Sequence, residues 1–153
     1  MTKIEPPATY ESLEHYLPYL VNRLSILGQQ AQRRILNAND VSLVNIRTLS
    51  ILYIEDGLTI NEIAERTFTE QSTTSRAVDA MASQGLVERR IPETDQRRRE
   101  VVMTARGRKQ LRDNWPEMDQ YFAALREGTT SEEIDICRKV LVQMLENLTK
   151  LPR

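Results

Sequence analysis

At 153 residues with 40% apolar content, the chain can bury one core, or a core shared with a partner. A net charge of −1 excludes a surface that is basic throughout, and a single cysteine, Cys137, excludes an intramolecular disulfide framework and fits a reducing compartment. The opening Met1-Thr2-Lys3-Ile4-Glu5-Pro6-Pro7 lacks the apolar run of a signal peptide and no stretch is apolar enough to span a bilayer, so a cytoplasmic protein is expected.

In chain order, Leu13, Leu17, Leu20, Leu24, Leu27 and Ala31 recur at steps of four and three, the stripe of a long helix from about Tyr10 to Leu36. Pro18 falls inside it, so either the helix begins there, with proline in its first turn, or it is kinked. A second helix is expected from about Leu43 to Glu55, capped by Ser42 and stopped before Gly57. Thr59 with Glu62 forms a capping box for a third helix, Ile60 to about Arg66, whose Ile63 and Ala64 face inward.

After a break at Thr67 to Thr69, the spacing of Ala77, Val78 and Met81 predicts a fourth helix, ended by Gly85. Its first two turns carry Gln71, Ser72, Thr73, Thr74, Ser75 and Arg76. Hydroxyl and β-branched residues make a poor helix by propensity but suit contact with phosphates and base edges. Leu86 to Ile91 and Arg99 to Met103 then alternate as two antiparallel strands. The turn between them, Pro92-Glu93-Thr94-Asp95-Gln96-Arg97-Arg98, concentrates positive charge, with Asp95 placed to brace the Arg97 guanidinium for minor-groove entry. From Leu86 to Arg112 there are nine Arg or Lys against four acids, so positive potential should gather at this turn and the helix after it.

A fifth helix should run from Thr104 to about Arg126 with a bend at Pro116. Thr130 with Glu133 caps a last one, whose Ile134, Cys137, Leu141, Leu145 and Leu148 form an apolar stripe. On that stripe Cys137 is expected to pack as a buried hydrophobe and not to sense oxidants. Long terminal helices with such stripes have too little of a 153-residue monomer to bury against, and should pack against a second copy.

The middle third resembles the MarR (multiple antibiotic resistance regulator) family of winged helix-turn-helix transcription factors. The matching residues are Leu58-Thr59, Ile63-Ala64, Gln71-Ser72-Thr73-Thr74-Ser75-Arg76, Val78-Asp79, Gly85-Leu86-Val87-Glu88-Arg89, Asp95 with Arg97, Thr104 and Gly107. One departure stands out: Glu70 occupies the start of the recognition helix, where a small hydroxyl is usual, and Thr69 is the alternative cap.

The resemblance implies a mainly α fold with a small β-hairpin wing. In one domain over 1–153, a winged helix-turn-helix lobe at 42–107 would be flanked by dimerisation helices at 10–38 and 108–150. It further implies a homodimer on double-stranded DNA at a pseudo-palindromic operator, repressing until a ligand releases it.

The DNA-binding residues are then Gln71, Ser72, Thr73, Thr74, Ser75 and Arg76 in the major groove, Asp95 with Arg97 in the minor groove, and Arg98 beside them. Because effectors in the family bind between the dimerisation helices and the DNA lobe, His15, Tyr16, Tyr19 and Arg23 on one side of the first helix, with Trp115, are candidates for a small aromatic or carboxylate effector. Dimer packing with surface charge is the competing explanation for those five. A winged helix that docks a partner regulator without reading DNA is the alternative function; it calls for an apolar exposed recognition helix. Neither a cofactor nor a metal is expected, because His15 is the sole histidine, and no phosphate loop or nucleophile pair supports an enzyme.

Overall fold

The computed structural model describes residues 6–152, and Met1 to Glu5 of the opening Met1–Pro7 segment lie outside them. The chain forms α1 (Tyr10–Glu14), α2 (Leu17–Asn37), α3 (Leu43–Ile54), α4 (Ile60–Thr67), α5 (Gln71–Ser83), β1 (Val87–Arg90), β2 (Glu100–Met103), α6 (Ala105–Leu125) and α7 (Ser131–Leu148). Its contacts divide it into two compact units, Met1–Glu117 and Met118–Arg153.

The first unit holds the core. Leu36, Leu49, Leu52, Leu58, Ile63, Val78, Met81, Leu86, Val87 and Val101 are all sealed from solvent. Apart from Leu36 at the end of α2, these are inward positions of α3, α4, α5 and the hairpin with its flanks, so the helix-turn-helix and the wing share one apolar centre. The strands pair antiparallel, Val87 opposite Met103 and Arg90 opposite Glu100. Leu58 adds a one-residue bridge to Val101, whose N–H donates to the Leu58 carbonyl at 2.8 Å. Gly107 makes the start of α6 fit: a Cβ there would collide with the Leu86 carbonyl oxygen and stand 2.9 Å from Met103 Cγ.

Local signals account for most boundaries. Ser42, Thr59 and Thr130 each accept a backbone N–H at a helix start, and the last two form full capping boxes. Gly85 ends α5 with φ +71°, and the Leu86 N–H reaches back to the Met81 carbonyl at 2.9 Å, closing the left-handed cap.

The expected first helix is in fact two. Thr9 caps a short α1, His15 closes it, and Tyr16 starts α2 with Pro18 in its first turn, where the missing N–H has no partner to lose. His15 and Tyr16 therefore occupy a junction and do not share a helix face with Tyr19 and Arg23. Pro116 lies inside a continuous α6.

In the second unit, α7 buries no residue, and Cys137 is exposed in the chain, contrary to the buried position expected of it. The apolar stripe of α7 is formed as the spacing predicts, and its Leu141, Leu145 and Leu148 are exposed. No helix among the described residues is long and apolar enough to cross a membrane.

Candidate nucleic-acid interface

The helix-turn-helix is α4 and α5, joined by Phe68 in the left-handed region at φ 52°. This bend is pinned by the Thr69 N–H on the Ala64 carbonyl at 3.0 Å. Glu70 stands at the N-cap of α5 without a side-chain bond, and Thr69 does not replace it, since its hydroxyl donates to the Thr67 carbonyl. The first turn of α5 thus keeps backbone N–H groups free of side-chain capping. Gln71, Ser72, Thr73 and Arg76 are exposed and Ser75 is half-buried. Thr74 is not available: it is 1% exposed, and its hydroxyl donates to the Glu70 carbonyl at 3.2 Å. It faces the core because, in a helix entered at Gln71, position 74 shares the inner face with Val78 and Met81. The exposed side of these turns is polar throughout, unlike the apolar surface that a partner-docking helix needs.

Among the described residues Arg76 on α5 and Arg97 at the wing tip have no carboxylate partner, whereas Arg89, Arg90 and Arg98 of the hairpin are all paired. Arg89 pairs with Asp79 at 2.6 Å, tying the wing's first strand to α5.

At the wing tip, Asp95 accepts the backbone N–H of Arg97 at 2.9 Å. It braces the turn and not the guanidinium, as short acidic side chains commonly do two residues ahead of themselves. Arg97 is left exposed. Arg98 is turned the other way. Its Nη2 donates to Glu62 Oε2 at 2.8 Å and lies 3.4 Å from the Gly57 carbonyl, and its Nε donates to Glu100 Oε1 at 3.1 Å. Arg98 is therefore an internal tie and not the free cation expected from the sequence.

The Thr59 N–H, donating at 2.7 Å, is the largest cause that holds Glu62 below the usual carboxylate range, and Arg98 adds to it. Arg90, first, and Arg98 hold Glu100 below that range as well. Sequence reasoning found Glu62 as a cap but not as a wing contact, because only the fold brings position 98 to position 62.

The remaining candidates are scattered. Arg23 pairs with Glu14 at 3.6 Å and lies 6.0 Å from the Tyr19 ring centroid. His15 bonds the Glu11 carbonyl, and Trp115 is half exposed on α6.

The fold that carries this polar helix start and the braced hairpin is shared with known regulators. The family model described as the MarR family matches residues 39–98. A MarR family transcriptional regulator from Silicibacter pomeroyi DSS is 31% identical, superposes with a TM-score of 0.86, and is covered in full by 97% of this chain. The chain belongs to the MarR family. It is a DNA-binding transcriptional regulator of the winged-helix type. The S. aureus MepR–DNA complex matches at 26% identity and TM-score 0.76 over 88% of this chain and 98% of that one. CouR from Rhodococcus jostii RHA1, solved bound to p-coumaroyl-CoA, shares the fold at 20% identity and TM-score 0.77, over 86% of this chain and 93% of that one.

Proposed function

We propose that this MarR family regulator acts as a homodimer that represses transcription from a pseudo-palindromic operator. Two copies of α5 would enter successive major grooves about 34–36 Å apart. Gln71, Ser72, Thr73, Ser75 and Arg76 would meet phosphates and base edges there, while Arg97, held by the turn that Asp95 braces, enters the flanking minor groove.

The observation that carries this reading is that Arg76 and Arg97, on the two elements that would face DNA, are both exposed and without carboxylate partners. The dimer is supported by the apolar stripes of α2 (Leu17, Leu20, Leu24, Leu27) and α7 (Leu141, Leu145, Leu148), all exposed in the single chain. An effector is supported by CouR, which shares the fold and was solved bound to p-coumaroyl-CoA. In this chain an aromatic carboxylate would stack on Tyr19 and take Arg23 from Glu14.

The test is binding of the purified protein to its own upstream DNA and to scrambled DNA, followed by fluorescence anisotropy across a salt series. The reading expects tight, salt-steep, sequence-dependent binding at one dimer per site. Binding indifferent to sequence would overturn it.

A further inference from the structure

The wing is not merely attached to the DNA lobe through its strands. One carboxylate, Glu62, serves both halves of the interface. Its Oε2 accepts the N–H of Thr59 at 2.7 Å and so caps the helix-turn-helix, and the same atom accepts Arg98 Nη2 at 2.8 Å. Glu100 continues the chain, taking Arg98 on Oε1 and Arg90 Nη2 on Oε2 at 2.9 Å, with its side chain only 12% exposed. The cluster packs against Gly57, at φ +76°, where a Cβ would stand 3.2 Å from Glu100 Oε2. Arg98 is adjacent to Arg97 in the chain, so fixing the backbone at Arg98 fixes the direction in which Arg97 leaves the turn.

We propose that Arg98 is a positioning residue for DNA binding: clamped by Glu62 and Glu100, it locks the wing to the start of the helix-turn-helix and sets the reach of Arg97. It rests on the reading of Arg97 as the minor-groove contact. A guanidinium suits the site because its fork reaches Glu100 from Nε and Glu62 and the Gly57 carbonyl from Nη2, two nitrogens held in fixed geometry, where lysine would offer one. Arg98 itself touches no DNA, and its contribution to affinity passes entirely through Arg97.

The experiment is a double-mutant cycle on the intact protein, with Arg97→Ala and Arg98→Gln singly and together, measured as affinity and salt slope on the preferred DNA. Backbone hydrogen exchange in the wing of the DNA-free protein is followed alongside. In the parent, Arg97→Ala should weaken binding roughly tenfold and lower the salt slope by about one unit. In the Arg98→Gln background the same change should cost less than about twofold, since coupled residues are not additive. Exchange at residues 94–98 should quicken in Arg98→Gln while the Thr59–Glu62 cap stays protected.

Multiplicative losses, each lowering the slope by about one unit, would make Arg98 a phosphate contact and overturn the proposal. Unchanged exchange in Arg98→Gln would overturn the clamp whatever the DNA result. If exchange quickens but Arg97→Ala has no effect in the parent, it is the minor-groove reading that fails, and the positioning role falls with it. Should Arg98→Gln lose the fold, Glu62→Gln replaces it, because glutamine keeps the capping acceptor and removes the charge that holds Arg98.

Discussion

The DNA lobe and the last helix are built on opposite terms. In the lobe, α3, apolar nearly all round, buries Leu43, Ile46, Thr48, Leu49 and Leu52 among α4, α5 and the hairpin; α7, longer and apolar along one stripe, buries nothing. The two patterns have two outcomes: a helix apolar all round is enclosed by its neighbours, while the stripe of α7 stays exposed among the described residues. An amphipathic helix specifies a face, not the partner for that face.

The comparison is broken most severely from inside the lobe. Leu49→Ala, at a fully sealed position, should cost about 2–5 kcal/mol, read as loss of cooperative stability in urea unfolding. Gly107→Ala, which drives a methyl into the Leu86 carbonyl, should cost about 1–3 kcal/mol. Leu145→Asp on α7, where the residue is 61% exposed, should leave the lobe's unfolding midpoint in place and shift sedimentation toward monomer. A midpoint lowered as far as that of Leu49→Ala would erase the distinction between the two regions.

An intermediate effect is expected from acid. Glu62 and Glu100 have folded pKa values below their unfolded ones, so their contribution is complete above the unfolded value of about 4.3 and is lost as pH falls through the lower folded values. The melting temperature should therefore fall steeply only below about pH 4.3, and Glu62→Gln should flatten that fall. The smallest effect is at the turn of the helix-turn-helix. Phe68 is 94% exposed in a left-handed conformation that asparagine adopts more easily, and Phe68→Asn should gain about 0.5–1 kcal/mol in thermal unfolding.

Much of the fold was legible because its signals are local. The capping residues Ser42, Thr59 and Thr130, the glycine stop at Gly85 and the apolar spacing of α5 each act within a few residues, and each lies where the sequence places it. The misses are contacts over long range or choices of helix phase. Thr74 turned inward because one residue of phase decides which hydroxyl joins Val78 and Met81. Arg98 turned inward because Glu62, 36 residues earlier, lies beside it, and no spacing rule reports that. Asp95 chose a backbone N–H over a guanidinium, since the tight turn puts the N–H closer. The break at His15 was hidden because the leucine stripe continues across it.

The most direct test of the DNA-reading account is a hydroxyl-radical footprint of the parent and of Arg97→Ala on the same preferred site. The account predicts two protected clusters about one helical turn apart, each flanked by minor-groove protection that disappears in the variant while the clusters remain. Flanking protection that survives Arg97→Ala would contradict it.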